Sequence, residues 1–396
     1  MESSYLPPRN LCCGCGSCAV VCPVNIIKMT SDKEGFLYPE VHVSSRCISC
    51  RKCEKKCPIV NEREYRNNSN MRKTYAGYLK NTFDLQKSSS GGVATALSRK
   101  IISEGGVVFG VRYGGDGRLA YFTKAETEDE LEVFRGSKYI QSEKHHIFSE
   151  VEGVLSCTDK PVLFIGLPCE IGALHSFLKK SYDKLTTVDL ICQGPTSPKV
   201  AHDYLNHLEQ KYQSKVIGIS VRYKRKGRWT PPYLYAEFEN GKSYLKPFYC
   251  TEYGRAFRTF SRPSCYHCRF KGENHVADIT LGDYWGCSKD DEFYNSSGVS
   301  VIFPHTDKGE NLLSETAGIT LIETPYDKAV KENQTYLRPR IGLREREIFS
   351  EKYLEKGLFK AVSDTTPISK SIFDYMWNYL PHTLREMISS LYQKYH

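Results

Sequence analysis

The sequence predicts two architectures in series: a small α+β domain organised by cysteines, then an α/β body with a mixed sheet. Three observations predict this. Cysteine is concentrated in two short runs, "CCGCGSCAVVCP" at 12–23 and "CISCRKCEKKCP" at 47–58. From Tyr75 onward, β-rich segments alternate with helical ones, as a largely parallel sheet requires. Near "VIGISVRY" and "YLYAEFEN" successive strands replace the alternation, so part of the body is antiparallel.

The two runs share one spacing. Cys12-x2-Cys15-x2-Cys18-x3-Cys22-Pro23 is repeated as Cys47-x2-Cys50-x2-Cys53-x3-Cys57-Pro58. This is the pattern of a two-cluster ferredoxin domain. Three thiolates on one tight loop cover three corners of a [4Fe-4S] cubane, and the fourth cysteine reaches the other cluster. Cys12, Cys15, Cys18 and Cys57 are therefore expected on one cluster, and Cys47, Cys50, Cys53 and Cys22 on the other. Gly14 and Gly16 let the backbone approach closely. Zinc ribbons use separate C-x2-C pairs instead of four-cysteine runs closed by proline. The start, "MESSYLPPRN", has no apolar run behind basic residues, so sixteen cysteines point to free thiols in a reducing cytoplasm and not to disulfides. Cys13 is read as a non-ligand neighbour. The domain is expected at 1–62, followed by a polar linker at 63–72. Arg46, Arg51, Lys52, Lys55 and Lys56 rim the second run. They are either a solvated face or a dock for an acidic electron carrier such as ferredoxin.

The body reads element by element. "TYAGYLK" and "GGVVFGVRY" are strands, with the helix "GGVATALSRKIISEG" between them ending at Gly105. "LAYFTKAE" is a strand, "TEDELEVF" and "IFSEVEGVLSC" are helices, and "PVLFIG" is a strand. "EIGALHSFLKKS" is a helix, "KLTTVDLIC" a strand, and "SPKVAHDYLNHLEQKYQ" a long helix with Ser197 at its N-cap. "GVSVIFP", "NLLSETAG" and "ITLIET" return to α/β. The body is divided into 73–160 and 161–335, with a helical tail at 336–396. That tail is amphipathic, broken at Pro381, and packs on the body or makes peripheral membrane contact.

Composition narrows the function. The chain has 396 residues, a formal charge of +9 and 40% hydrophobic residues. No stretch of about 18 apolar residues exists to span a membrane. Three four-thiolate clusters at −2 each would leave the net charge at about +3, so a nucleic-acid partner is not indicated. The one basic, aromatic segment, "VRYKRKGRWTPPY" at 221–233, is read as the edge of a substrate cleft in which Arg222, Lys224 and Arg228 hold an anion.

Four later cysteines form a third set. Cys169 in "IGLPCE" and Cys192 in "LICQG" follow successive strands, and Cys265 and Cys268 form "RPSCYHC". Neighbouring strand ends lie side by side at the carboxyl edge of a parallel sheet. A C-x2-C loop folded over that edge completes four thiolates, for iron or equally for zinc. "SSSGGVATAL" at 88–97 places small residues ahead of a helix, where free N–H groups attract anions, or it is an ordinary N-cap by Ser90. "RGSKYIQS" at 135–142 is a second polar, basic loop. No G-x-G-x-x-G follows a strand, so a Rossmann dinucleotide site is not supported.

Together, "SSSGGVATAL", "GSKYIQS", "VLFIGLPCEI", "DLICQGPTSP", "RPSCYHC" and "ADITLGDYWG" resemble the coenzyme F420 hydrogenase/dehydrogenase β-subunit family over roughly residues 73–330. Relatives include F420H2 oxidases, the formate dehydrogenase β subunit and plant 7-hydroxymethyl chlorophyll a reductase. The fused ferredoxin front end is similar to bacterial relatives found among polysaccharide-biosynthesis genes. The resemblance implies an α/β flavin-binding body. FAD would contact Ser90, Gly91, Gly92 and Thr95, and the loop residues Gly136, Ser137, Lys138, Tyr139, Gln141 and Ser142. It implies a third [4Fe-4S] cluster on Cys169, Cys192, Cys265 and Cys268. Lys138 would neutralise a phosphate or a reduced flavin anion, and Asp278, Asp283 and Trp285 would border the cluster or the flavin. Gln193-Gly194 stands where ferredoxin-fused relatives carry His-Gly, which leaves His145, His146, His175 and His267 as proton-donor candidates. The expected protein is an iron–sulfur flavoprotein oxidoreductase joining a one-electron carrier to a small-molecule substrate or F420. A pure electron-transfer subunit is the alternative.

Overall fold

The computed structural model describes residues 5–61 and 73–366, together with Leu384 and Met387. The expected linker at 63–72 and the helix break at Pro381 lie outside the described residues. Thirteen strands are described: β1 (Ile27–Ser31), β2 (Leu37–Val41), β3 (Tyr75–Leu79), β4 (Val107–Tyr113), β5 (Ala120–Ala125), β6 (Val162–Gly166), β7 (Leu185–Leu190), β8 (Val216–Tyr223), β9 (Tyr233–Phe238), β10 (Ser243–Pro247), β11 (Ile279–Asp283), β12 (Ser300–Pro304) and β13 (Ile319–Glu323).

The body is built on one eight-stranded sheet of order β13-β3-β12-β11-β7-β6-β4-β5. Its centre, β4-β6-β7-β11, is parallel, and antiparallel strands close both ends. The division expected near residue 160 thus falls between strands of a single sheet. Burial follows the two-residue strand period. Val107 and Phe109 of β4 and Val162 and Phe164 of β6 pack under the helices Ile147–Cys157 and Pro168–Leu178. Val108 and Leu163 face the other way, under the helices Val93–Ser103 and Asp307–Glu315. Helices on both faces are what strands with consecutive apolar residues require. β11, read in the sequence only as part of a motif, is the central strand that joins the parallel and antiparallel halves.

A second, antiparallel sheet β10-β9-β8 forms where the sequence loses its alternation. It shares a core with the helices Pro198–Tyr212 and Glu252–Thr259 and with a 23-residue helix, Leu343–Thr365. Ser197 stands at the N-cap of Pro198–Tyr212, as expected, but its hydroxyl makes no capping bond. The helix after the serine-rich loop is capped by Gly92 and not by Ser90.

The ferredoxin-like domain is docked on that second core instead of standing apart. Its β1–β2 hairpin turns at 32–36, and Phe36 and Tyr38 enter the core with Phe260, Phe349 and Tyr353. Glu34 is clamped by Arg346 and Ser350 of the long helix, and Arg346 also donates to the Ser261 carbonyl at 3.0 Å. Such a buried ion pair stabilises docking only because hydrogen bonds satisfy both partners.

Candidate iron–sulfur and flavin site

The first run lies against the body. Cys12, Cys15, Cys18 and Cys22 are each 8% exposed. Cys12, Cys15, Cys18 and Cys57 line a single recess of about 330 Å³, its open mouth included. The recess brings together the expected crossed set, three thiols of one run with the last of the other. Burial, then the neighbouring Cys15, pushes the Cys57 thiol up to about 12. Such thiols ionise when a metal supplies the compensating charge.

The second run faces outward. Cys47 and Cys50 are exposed and Cys53 is half-buried. Burial raises the Cys53 thiol, and Cys50 and Cys22 raise it further, so these three are neighbours. Val43 and Ile48 are 59% and 61% exposed beside them. Of the basic rim, Arg51 is held by Glu54 at 2.5 Å and Lys56 donates to the Phe177 carbonyl. These two are tied into the fold.

The third set forms at the carboxyl edge of the sheet, where it was expected. Cys169 lies in the first turn of the helix after β6, Cys192 just past β7, and Cys265 and Cys268 on and beside the 3-10 segment Pro263–His267. Each of the other three adds to the burial that raises the Cys265 thiol. Burial takes Cys192 to about 12 and Cys268 to about 11, in both cases opposed first by the Lys271 charge. The Gly194 N–H donates to the Cys192 Sγ at 3.2 Å. Gly194 has φ +98, and a Cβ there would meet the Cys265 Sγ at 2.8 Å. Only glycine fits. Among the described residues no group of three His, Cys, Asp or Glu is arranged to hold a metal ion.

Cys13, read as a bystander, is the link between sets. Its thiol neighbours both Cys15 and Cys169. It packs with Cys57, Cys169, Cys268, Ile59 and Phe270 in one cluster.

The two polar loops also meet. Ser137 Oγ donates to Ser89 Oγ at 3.0 Å. Gly91 N–H donates to Ser300 Oγ at 3.1 Å, which pins the serine-rich loop to β12. The helix Val93–Ser103 begins at Gly92 without a side-chain cap, and Thr95 lies in its first turn. An uncapped helix start presents N–H groups to an anion. Lys138 donates to the carbonyls of Phe134, Arg135 and Gly136 at 2.8–3.0 Å. Burial, then the Arg112 charge, holds its pKa down at about 7. Tyr139 stacks on Phe257 at 4.1 Å.

Arg222 donates to the Ser89 carbonyl at 3.0 Å and pairs with Asp283 at 2.7 Å. It lies over Trp285, which stacks on Trp229 at 5.1 Å. Among the described residues the buried Arg222 Nε has no hydrogen-bond partner. Lys224 donates to the Leu85 and Ser90 carbonyls. Arg222 and Lys224 thus brace the loop from inside instead of reaching into an open cleft.

Other expected residues lie elsewhere. Gln141 and Ser142 turn away from the loop pair. Gln141 Oε1 accepts from the Leu37 N–H at 2.9 Å, and its Nε2 faces the Gly14 carbonyl. Ser142 donates to Glu170 at 3.0 Å, beside the Lys144–Glu170 pair at 2.8 Å. Gln141 thus sits at the seam between domains, while the partners of Ser142, Glu170 and Lys144, belong to the body. Asp278 is a clasp: it accepts from the Thr187 N–H and hydroxyl and from Thr306. His145, His146 and His267 are exposed. Burial lowers the pKa of His175. The sequence reading passed over His275, which pairs with Asp189 at 2.9 Å, stacks on His305 and lies seven residues past Cys268. Asp189, three residues before Cys192 on β7, was the available signal.

The chain thus joins a cysteine-rich ferredoxin-like domain to a mixed α/β body. Comparison with known families agrees: residues 11–60 match the 4Fe-4S dicluster domain. Residues 159–328 match the C-terminal domain of the coenzyme F420 hydrogenase/dehydrogenase beta subunit. The protein is an iron–sulfur electron-transfer oxidoreductase related to the beta subunits of coenzyme F420 hydrogenase and dehydrogenase. Among solved structures, a chain of the F420-reducing [NiFe] hydrogenase complex from Methanosarcina barkeri is 19% identical, with a TM-score of 0.46, covering 75% of this chain and 91% of that one. No curated protein matches this chain. No helix among the described residues is long and apolar enough to cross a membrane.

Proposed function

We propose that this protein moves electrons between a one-electron carrier and a hydride-type acceptor or donor, through three [4Fe-4S] clusters and FAD. The observation that carries this reading is continuity. The exposed second set is linked to the first through the crossed cysteines Cys22 and Cys57. The first set is linked to the third through Cys13. Past Cys192, Thr196 exchanges backbone hydrogen bonds with Tyr139 and Gln141, so the third set is tied to the 136–142 loop. Clusters pass single electrons, and a flavin converts them to a hydride pair. The thiol sets would hold the clusters, and Ser89, Ser90, Gly91, Gly92, Ser137 and Tyr139, braced by Arg222, would hold the flavin. The chain's own work is to bury the first and third sets and supply N–H···S bonds. Val43, Ile48, Lys52 and Lys55 would dock an acidic carrier such as ferredoxin. The organic substrate is a sugar or lipid-linked intermediate of surface-polysaccharide synthesis, with F420 the second choice.

The test is anaerobic purification followed by cofactor extraction. About 12 iron, 12 sulfide and one FAD per chain are expected, and reduced ferredoxin should bleach the flavin absorbance. Zinc in place of iron, or no flavin, overturns the proposal. Bleaching that appears only when a partner protein is added would mark the chain as a relay subunit instead.

A further inference from the structure

The seam between the ferredoxin-like domain and the body contains a buried charge from which no carboxylate among the described residues accepts a bond. Arg262 precedes Cys265 by three residues and is 3% exposed. Its guanidinium donates to the Cys12 carbonyl at 3.3 Å, to Gln141 Oε1 at 3.2 Å and to the Leu37 carbonyl. Among the described residues each of these hydrogen bonds ends on a neutral oxygen. The nearby carboxylates of the docked hairpin have other partners: Glu34 holds Arg346 and Ser350, and Asp32 holds Arg9 at 2.6 Å. The Tyr38 ring lies under the guanidinium at 4.0 Å. Neutral oxygens and an aromatic face soften the burial of a cation but do not cancel its charge.

What the charge does touch is the two cysteine loops: the guanidinium donates to the Cys12 carbonyl in the first, and in the third the Cys265 N–H donates to the Arg262 carbonyl at 3.0 Å. A [4Fe-4S]²⁺ core with four thiolates carries −2 and gains a further negative charge on reduction. We infer that Arg262 is the shared counter-charge of the first and third iron–sulfur sites, a single guanidinium that raises the reduction potential of both. The inference rests on the three-cluster reading above. Its role is positioning and electrostatic. When a carrier loses one electron and a cluster gains it, a fixed cation in a low-dielectric seam stabilises the reduced form. Cys13 bridges Cys15 and Cys169 at the same seam, so the charge sits where an electron passes from domain to body. Lys271 supplies a contrast. It is buried and donates to the carbonyls of Cys192 and Thr335, so it sits at the third set.

The experiment is an EPR-monitored redox titration of the full chain, prepared anaerobically, for wild type, Arg262→Gln, Arg262→Lys and Lys271→Met. Arg262→Gln should lower two of three midpoints together, each by about tenfold in its one-electron equilibrium, or ~59 mV. The signal of the exposed second set should stay in place. Arg262→Lys, which keeps the charge and loses the fork, should titrate like wild type, and Lys271→Met should lower one midpoint only. Three unmoved midpoints in Arg262→Gln would overturn the inference. So would an Arg262→Lys shift as large as that of Arg262→Gln, since hydrogen bonding would then be the cause. Should Arg262→Gln fail to fold, Arg262→Met takes its place, with the same expected shift and the same overturning outcome. A wild-type chain with only two clusters sinks the three-cluster reading itself, before any variant is compared.

Discussion

Two runs of identical cysteine spacing meet opposite surroundings. The first, Cys12 to Cys22, is pressed against the body, while the second, Cys47 to Cys57, begins in solvent. Their loops bend the same way. The residue before the second cysteine has φ +66 at Gly14 and +52 at Ser49. The cluster-binding turn therefore demands a left-handed residue in both runs, and the neighbourhood decides which side chain is tolerated. At Gly14 a Cβ would stand 2.3 Å from the Arg262 guanidinium. At Ser49 the side chain projects from an exposed loop. The same local chemistry thus serves as an interior contact to the body in one run and as a face open to a partner in the other.

The sharpest way to break this comparison is to remove one thiol from each run. Cys15→Ala should leave a buried recess without its cluster and yield little folded protein, whereas Cys50→Ala should fold and retain about 8 of 12 iron atoms. Iron analysis with gel filtration decides. Equal loss in both would mean that the second run is as deeply built in as the first. A smaller effect is expected from the backbone. Gly14→Ala should cost at least ~2 kcal/mol, from left-handed strain and the meeting with Arg262. Ser49→Gly should stay within ~1 kcal/mol of wild type. Urea unfolding under anaerobic conditions measures both.

The smallest effect is on pH. Burial raises the cluster-free thiols of Cys57 and Cys192 from an ordinary 9 to about 12. The unfolded chain therefore releases these protons first as pH rises, and the folded apoprotein loses stability from about pH 9 upward. With iron bound the thiols carry no proton, and this slope should vanish. Parallel unfolding curves at pH 7.5 and 9.5 for apo and iron-loaded chains check the sign.

Much of this site was legible because cluster chemistry writes itself into spacing. A cubane needs three thiolates on one loop, so C-x2-C-x2-C-x3-C-P and the crossed pairing of Cys57 with the first run followed from the residues. The recess that gathers Cys12, Cys15, Cys18 and Cys57 also takes in Cys13. The strand-end positions of Cys169 and Cys192 followed from alternation in the same way. Gln141 and Ser142 were misplaced because loop membership says nothing about which wall a side chain faces. Arg222 and Lys224 read as cleft cations because a basic segment looks alike whether its charges meet solvent or backbone carbonyls.

The sequence by itself determined the ligand types, their grouping in fours and the alternating body, since each depends on neighbours within a few residues. Only the tertiary structure decided that the ferredoxin-like domain is docked, that Cys13 spans two thiol sets and that Arg262 is buried at the seam with no carboxylate bonded to it among the described residues. These depend on contacts between segments as much as 316 residues apart, as in the bond from Ser350 to Glu34. Such contacts are fixed by packing and by the cost of burying charge, and neither leaves a local pattern in the chain.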